Sequence, residues 1–325
     1  MPVADVDLED RITRFTTGFG SRGGYRIPTR DERRTVTEGV ALLLDGKQDE
    51  ARTRLAEADF VVKELTDGAS GRHFAEVSDA VTRTDGTNRG WGRVYVGLGA
   101  PPRWSVQVPH PIADADTERL GVRVLRNSPG GVMVLAGAHR TAGKGDAADV
   151  AHRTDSVFHE IVAELMGRGL PGVQLHGFAD ESFPRYDAVV STGAGGGAVE
   201  DGRRLAKAFR AAGLEVCRAW ERECELSGTD NVQGRVAERE DRRFLHVELN
   251  ASARAGAAGV GGGAGGGFLP RGSPGTPGPP GPGGPAATAD SAGAAGIART
   301  AGTANISDSP GAVPCTAFTR RTADA

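Results

Sequence analysis

The spacing of apolar side chains changes twice within the first 98 residues. Between residues 31 and 66 they recur at helical spacing, and Asp45-Gly46 interrupts them, which predicts a pair of helices. Apolar stretches then predict short strands at residues 60–64, 72–76 and 93–98. We expect a small α+β unit over residues 31–98. Residues 1–30 show little apolar pattern and predict a poorly ordered lead-in.

From Trp104 onward, short apolar segments alternate with amphipathic ones. The apolar segments predict strands at residues 104–109, 132–137, 172–176, 187–191, 214–218 and 244–249. The amphipathic segments predict helices at residues 117–126, 149–168 and 200–212. This alternation is typical of an α/β domain with a mostly parallel sheet flanked by helices, which we assign to residues 99–250. Ligands bind beyond the carboxyl ends of the strands in such sheets, so functional residues are expected there.

Composition changes after Asn250. Residues 251–325 contain 18 of the 49 glycines and 9 of the 18 prolines, but only two aromatic side chains. Such a segment buries too little apolar area to offset its ordering entropy, which predicts a Gly/Pro-rich disordered tail. A frame-shifted run-on would have the same composition.

The charge balance limits the classes of partner. The chain carries 39 basic and 42 acidic residues, a formal net charge of −3, which argues against a broadly basic nucleic-acid-binding surface. It has no apolar run of about 18 residues, the length that predicts a membrane-spanning helix. We therefore expect a small-molecule or peptide substrate rather than nucleic acid or a membrane. The oligomeric state stays open.

Three cysteines leave the cellular compartment open. Cys217 and Cys224 lie seven residues apart at the end of a predicted strand, and Cys315 lies alone in the tail. A disulfide between Cys217 and Cys224 is feasible, and it would imply export. Free thiols would instead suit a cytoplasmic protein, as would the absence of a visible signal peptide at the N-terminus. A true start upstream of Met1 would also allow export.

Two histidines end predicted strands, where an α/β site is expected. His110 closes Val-Gln-Val-Pro-His, and His176 closes Val-Gln-Leu-His. Acidic residues follow the first histidine at Asp114, Asp116 and Glu118. Two imidazoles and one carboxylate make a good zinc set that leaves a position open for catalysis. The three acids compete for the carboxylate role, and they could instead cap the next helix.

The last predicted strand carries a second pair of polar residues. In Phe-Leu-His-Val-Glu-Leu, the period of two places His246 and Glu248 on the same face. A carboxylate in a buried strand is costly unless it has a partner or lies at a site. Beside a metal-bound water, Glu248 would act as the general base of a hydrolase.

Further polar residues could border this site. Asp149, His152 and Arg153 begin the helix predicted over residues 149–168, and Arg140 follows another strand end. We take His152, Arg153 and Arg140 as candidates for substrate binding. Arginine is the preferred bidentate partner of a carboxylate, so Arg140 could hold a substrate carboxylate. A solvated helix face and a surface arginine are the plain alternatives.

The segment Gly193–Ala198 fits the pattern G-x-G-x-x-A between a predicted strand and a predicted helix. Such a loop can bind phosphate at a helix N-terminus. The segment follows a middle strand of the domain and lies in a glycine-rich chain, so a tight strand-to-helix connection explains it as well. The chain could then be a phosphate- or nucleotide-binding α/β protein, or a non-catalytic α/β binding module.

The order of these residues resembles the zinc carboxypeptidase and N-formylglutamate amidohydrolase superfamily. The resemblance covers residues 104–250 and rests on Pro109-His110, the acid at Glu118, Leu-His176-Gly and the late-strand Glu248. It implies a phosphorylase/hydrolase-like fold with one catalytic zinc ion per chain. His110, His176 and Glu118 would be the zinc ligands and Glu248 the general base.

One departure bears on the carboxylate ligand. The carboxypeptidase pattern has its acid three residues after the first histidine, where this chain has Ala113. Asp114 and Asp116 therefore compete with Glu118. The activity that the resemblance implies is hydrolysis of an amide bond in a peptide-like or N-acyl amino-acid substrate.

Overall fold

The computed structural model describes residues 3–80 and 89–259, and side chains as far as Gly256. The strands are β1 (Ala4–Val6), β2 (Phe60–Asp67), β3 (Arg72–Asp79), β4 (Arg93–Gly97), β5 (Trp104–Val108), β6 (Gly131–Leu135), β7 (Gly172–Phe178), β8 (Ala188–Ser191), β9 (Val216–Arg218) and β10 (Phe244–Asn250). The α-helices are α1 (Leu8–Thr16), α2 (Arg30–Leu44), α3 (Gln48–Ala56), α4 (Thr117–Asn127), α5 (Val157–Gly167), α6 (Val199–Ala211), α7 (Val232–Arg239) and α8 (Ala251–Gly259). Among these described helices, none is both long and apolar enough to cross a bilayer.

The strands of the described residues form one ten-stranded sheet in the order β1-β2-β3-β4-β6-β5-β7-β10-β8-β9. Its centre, β6-β5-β7-β10, is parallel throughout. The neighbours β4 and β8 join this centre in antiparallel orientation. The predicted fold class, a mostly parallel sheet flanked by helices, is confirmed. The parallel centre brings the carboxyl ends of β5, β7 and β10 to one edge.

Both faces of the sheet are covered by helices. One core contains apolar side chains of α2, α3, α5 and α7, and the other contains those of α1, α4 and α6. Successive residues of β6 alternate between them: Val132 and Val134 lie in the first core, Met133 and Leu135 in the second. A strand buried on both faces has no polar alternation, which explains the continuous apolar runs in the central strands.

The strands before residue 98 belong to the same sheet as the later ones. β4 pairs with β6 through Val94 and Val134, so β2, β3 and β4 extend the sheet of residues 99–250. The boundary that the sequence predicts near residue 98 therefore does not coincide with a break in the sheet. The predicted helix pair is present as α2 and α3, interrupted at Asp45 and Gly46.

The prediction of a poorly ordered lead-in over residues 1–30 is wrong for its first part, which contains β1 and α1. Asp7 caps α1, and Leu8 and Ile12 are buried beneath it. Asp67 of β2 accepts a hydrogen bond from the Leu8 amide, and Glu76 of β3 binds Arg11. Leu8, Ile12 and Phe15 do follow helical spacing, but over nine residues only, and acids on β2 and β3 supply the long-range partners.

The predicted helix over residues 149–168 begins later than expected. α5 starts at Val157, with the Ser156 side chain capping the His159 amide. Residues 149–156 form turns instead. The Asp149 carboxylate is used by His110, as described below, and not by the helix. An N-cap serine defines where a helix begins, so the helix starts after Ser156.

The chain remains ordered past Asn250, where the sequence predicts a disordered tail. Residues 251–259 form α8, so that part of the prediction is wrong. Its first turn is capped by the side chains of Asn250 and Asp180. An alanine-rich helix is favoured by intrinsic propensity, which the glycine content concealed. The rest of the predicted tail, residues 260–325, lies outside the described residues.

Glu76 provides a test of the anchoring of α1. Its buried carboxylate receives two bonds from Arg11, at 2.6 and 2.7 Å, and one from Arg93 at 3.3 Å. We expect Glu76→Gln to lower the free energy of unfolding by about 3 kcal/mol, because it leaves two arginines without their charge partner. The matched control Glu200→Gln, in an exposed pair with Arg203, should cost less than about 1 kcal/mol.

Urea unfolding of both variants across pH measures these losses. Burial raises the pKa of Glu76, but the bonds from Arg11 outweigh it and hold the pKa below its ordinary value of 4.5. The stabilisation by Glu76 is therefore fully present above the unfolded-state pKa and is lost as the pH falls through the folded-state pKa. Equal stability of Glu76→Gln and wild type at pH 7 would contradict this anchoring.

Candidate metal centre

Three neighbouring strands carry the main residues of the site. His110 follows β5, and His176 lies on β7, the next strand in the sheet. Glu248 lies on β10, where it is directly paired with His176 in the parallel register. Side chains at paired positions of parallel strands point to the same face. The topology therefore places Glu248 beside His176.

His110, Asp114 and His176 form a buried group whose candidate ligand atoms all lie within 4.8 Å of one another. Asp114 Oδ2 lies 3.2 Å from His110 Nδ1 and 3.3 Å from His176 Nδ1. The His110 and His176 rings meet edge to face, with 4.9 Å between centroids. Two ring nitrogens thus converge on one carboxylate oxygen.

Of the three acids after His110, the structure brings Asp114 into the group. Asp116 is half exposed and pairs with Arg119 at 3.4 Å. Glu118 is buried in the first turn of α4, away from the two histidines that it was expected to join. The turn after His110 accounts for this, because the Asp114 amide donates to the His110 carbonyl and brings that acid back to the imidazole.

Glu118 supports this turn from the inside. Ile112, at the middle of the turn, has a φ of 70°, a genuine outlier for a β-branched residue. The backbone amides of Ile112 and of Glu118 itself favour the charged form of the Glu118 carboxylate. Burial raises the pKa of Glu118, and its Oε2 has no hydrogen-bond partner within the described part of the chain. The strained turn is therefore held by a buried acid next to the group.

Hydrogen bonds fix the tautomer of His176. Gln233 must direct its amide nitrogen at the Val150 carbonyl, 2.8 Å away, because a carbonyl only accepts. Its Oε1 then faces the amide nitrogen of Gln174, at 3.3 Å. Gln174 Oε1 is consequently the atom that faces His176 Nε2, at 2.7 Å. His176 therefore carries its proton on Nε2 and has a lone pair on Nδ1.

His110 has the same tautomer for a different reason. Its Nε2 donates to Asp149 Oδ1 at 2.8 Å. Burial raises the pKa of Asp149, but the hydrogen bonds that it accepts outweigh burial and hold the pKa well below its usual range. An ionised Asp149 can only accept, so the proton lies on Nε2. Carboxylates and amide oxygens of this kind orient metal-binding imidazoles in proteins.

With both rings neutral, the group brings three electron-pair donors together. Burial, followed by the charge of His246, lowers the pKa of His176 to about 4, so this ring is neutral at pH 7. Burial lowers the pKa of His110, but its carboxylate partners outweigh burial and raise it. A proton on His110 Nδ1 would satisfy one contact with Asp114 and leave His176 Nδ1 facing a carboxylate. A cation bound by all three atoms satisfies both contacts.

His246 and Glu248 extend the site along β10. The His246 ring lies 4.4 Å from the His176 ring, and its Nε2 lies 3.3 Å from Glu248 Oε1. On its other side, a Cβ at Gly228 would collide with the His246 ring, so this position requires glycine. His246 Nδ1 is buried and, within the described part of the chain, has no hydrogen-bond partner. The ring thus holds one side of Glu248.

The candidate substrate-binding residues lie at the exposed side of Asp149. Arg140 Nη2 donates to Asp149 Oδ2 at 2.7 Å, and His152 Nδ1 lies 3.1 Å from Asp149 Oδ1. Both side chains remain partly exposed, by 35% for Arg140 and 50% for His152. Arg153 instead makes a bidentate pair with Asp155. Of the two arginines, Arg140 is the one connected to the buried group.

The Gly193–Ala198 segment lies at the amino ends of the parallel strands, away from the carboxyl ends that carry the candidate metal centre. β8 runs antiparallel to β10, so the loop after Ser191 is next to Phe244, where β10 begins. Two of its glycines pack against protein backbone: a Cβ at Gly195 would lie 3.2 Å from the Glu238 Cα and one at Gly197 3.1 Å from the Arg242 carbonyl oxygen. Close packing of a tight connection explains these glycines.

Cys217 and Cys224 form the disulfide that the sequence left open. The bridge closes the loop after β9 and packs with Val189 of β8. It lies on the outer strand of the sheet, which separates it from the candidate metal centre.

Sequence reasoning missed the residues that support the group. Asp149 and Gln174 bind the two imidazoles, and Asn231 also donates to Gln174 Oε1. A weak signal existed in the strands themselves, since Gln107 and Gln174 are fully buried amides in otherwise apolar segments. Their partners come from distant parts of the chain, which no local pattern reveals.

Comparison with known proteins gives distant structural neighbours. No family model matches the sequence, and no curated protein matches it significantly. The chain is similar to N-formylglutamate amidohydrolase from Ralstonia eutropha, with 12% identity, a TM-score of 0.35 and coverage of 49% of this chain and 85% of that one.

Two metallo-carboxypeptidases are also similar. The one from Burkholderia cenocepacia shows 13% identity and a TM-score of 0.33 over 62% of this chain and 60% of that one. The one from Pseudomonas aeruginosa, in complex with (2-guanidinoethylmercapto)succinic acid, shows 15% identity and a TM-score of 0.30 over 62% and 59%. At such low similarity, function has to be argued from the residues of this chain.

The carboxylate assignment can be tested with two isosteric substitutions four residues apart. We expect Asp114→Asn to weaken zinc binding by more than about 100-fold, beyond the usual effect of a residue that only orients a ligand. Glu118→Gln should change it by less than about 10-fold, because glutamine can still accept the Ile112 amide. Titration of metal-free protein against a chromophoric chelator measures both. The opposite pattern would restore Glu118 as the ligand.

Proposed function

We propose that this chain is a zinc-dependent hydrolase of an amide bond in a peptide-like or N-acyl amino-acid substrate. The observation that carries the proposal is the convergence of His110 Nδ1, His176 Nδ1 and Asp114 Oδ2 in a buried group. Both histidines are already oriented by oxygen acceptors on Nε2. Two imidazoles and a carboxylate are the donor set of catalytic zinc sites, in which a fourth position stays open.

The proposed ligands are His110, Asp114 and His176. A zinc ion held there supplies Lewis-acid polarisation of the scissile carbonyl and lowers the pKa of a water molecule to about 7. The surrounding residues fit this role, since all three ligands are nearly inaccessible to solvent. A buried set of this kind keeps its orientation before the substrate arrives.

Glu248 is the proposed general base. Glu248 of β10 is paired with His176 of β7, so it lies on the strand next to a proposed ligand. Its carboxylate would accept the proton of the attacking water and pass it to the nitrogen that leaves. The contact from His246 Nε2 to Oε1 holds one oxygen of Glu248 and leaves the other for this transfer.

Arg140 is the proposed partner of a carboxylate on the substrate. Its guanidinium has five N–H donors, and among the described residues one of them is given to Asp149. Arg153 donates from Nε and Nη2 to Asp155 and, among the described residues, makes no contact with the buried group, so it is less suited. His152 is proposed as a neighbouring polar contact. A carboxylate next to the amide is the feature shared by peptide C-termini and N-acyl amino acids.

The general-base role of Glu248 predicts a specific loss of turnover. We expect Glu248→Gln to lower kcat at least about 100-fold, the usual contribution of a positioned base, while zinc content and melting temperature stay close to wild type. N-acyl amino acids and C-terminally unblocked dipeptides are the substrates to assay with zinc-loaded protein. Glu76→Gln, a buried strand glutamate far from the site, is the matched control and should lose stability but not turnover.

Other outcomes distinguish the competing roles. A severe loss in His246→Ala with a mild one in Glu248→Gln would assign the base to His246. A loss of stability without a specific loss of turnover would make Glu248 structural. Wild-type protein that binds no zinc and hydrolyses none of these substrates would leave a non-catalytic binding module as the better description.

A further inference from the structure

Arg254 of α8 connects the three segments that carry the proposed functional residues. Its Nε donates to the Ala115 carbonyl at 2.6 Å, and its Nη1 donates to the Phe178 carbonyl at 3.1 Å and to the Leu249 carbonyl. Ala115 follows Asp114 directly, Leu249 follows Glu248 directly, and Phe178 lies two residues after His176. One guanidinium therefore bonds to backbone next to a carboxylate ligand, a histidine ligand and the base.

The surroundings of Arg254 show that this arrangement is built into the fold. The residue is 5% exposed and, among the described residues, forms no ion pair. A buried cation without a carboxylate is costly unless its donors are satisfied, and here carbonyls satisfy them. Gly177 leaves the space that the guanidinium fills, since a Cβ there would collide with it. The donors of a guanidinium leave three separate nitrogen atoms in one plane, whereas the three donors of lysine all leave a single nitrogen.

The start of α8 fixes where Arg254 lies. The Ala253 amide donates to Asn250 Oδ1 at 2.8 Å, and the Ser252 amide and hydroxyl both donate to Asp180, at 3.0 and 2.6 Å. Asn250 in turn donates to Asp187 Oδ1 at 3.0 Å. These bonds join the first turn of α8 to the ends of β7 and β10. The guanidinium consequently has a defined position before any metal binds.

We propose that Arg254 is a positioning residue that holds the Asp114 turn against the ends of β7 and β10 and thereby sets the affinity of the metal centre. This inference rests on the proposed zinc site for its metal readout. The turn needs such support because it contains the strained Ile112 and has the carbonyl of Ala115 at its outer end. Without the guanidinium, the Asp114 carboxylate would lose its fixed distance to the two histidines.

Two substitutions in the full-length protein test this role. Arg254→Met keeps an unbranched side chain and removes the donors, and Arg254→Lys keeps the charge but not the fork. We expect both to weaken zinc binding by about 10–100-fold, the usual effect of an outer-shell partner. The absorption spectrum of the cobalt-substituted protein should change as well, because the ligand geometry changes.

The matched control is Arg89→Met. Arg89 is a buried arginine that bonds to the Ala58 carbonyl and to Asp79 on the other part of the sheet. The Arg89→Met substitution should lower the melting temperature without changing the zinc affinity or the spectrum of the cobalt-substituted protein. Where Arg254→Met does not fold, Arg254→Lys decides the question.

Hydrogen exchange of metal-free protein gives a readout that is independent of zinc. Amides of residues 110–117 should exchange faster in the Arg254 variants than in wild type and in Arg89→Met. If wild type binds no zinc but this difference is present, the proposed function fails and the positioning role stands. If wild type binds zinc, and folded Arg254 variants match its affinity, cobalt spectrum and exchange, the positioning role is overturned and the zinc site stands.

Discussion

The structure of this site depends on the meeting of two imidazole nitrogens with one carboxylate oxygen. Nε2 of both histidines is occupied as a donor, so His176 Nδ1, and His110 Nδ1 whenever that ring is neutral, direct lone pairs at Asp114. Three electron-pair donors in a buried space repel one another unless a cation or protons lie between them. This constraint favours the binding of a cation, since a divalent metal would satisfy all three donors at once.

The scaffold around the group keeps that repulsive arrangement in place. Gln174, Gln233 and Gln107 form a connected chain of buried amides below His176. Such networks stabilise a single geometry only when every member is satisfied. The chain ends at the Val150 carbonyl, which fixes the direction of each amide in turn. Asp149 does the same for His110 and is itself held by Arg140. Orientation of the ligands therefore comes from residues that would not touch the metal.

The sheet concentrates this chemistry at one edge. β5, β7 and β10 are parallel, so their carboxyl ends meet, whereas β8 is antiparallel and carries the Gly193–Ala198 loop to the opposite edge. The strands before residue 98 contribute to the cores and to the anchoring of α1 through Asp67 and Glu76. Architecture alone thus separates the candidate centre from the glycine-rich segment that sequence patterns had also suggested.

The amino-acid sequence by itself determined the fold class, the helix pair, the strands of the parallel centre, and His110, His176 and Glu248 as candidates, because periodicity and strand ends are local properties. Asp114 rather than Glu118 lies in the buried group with the two histidines because of the turn at Ile112. No local pattern predicts the left-handed backbone of this turn. Partners far along the chain also decided that α1 is ordered, that α5 starts late and that α8 forms. They decided the contacts of Asp149, Gln174 and Arg254 as well. Hydrogen bonds between residues distant in sequence exist only once the sheet has formed, so only the tertiary structure could decide them.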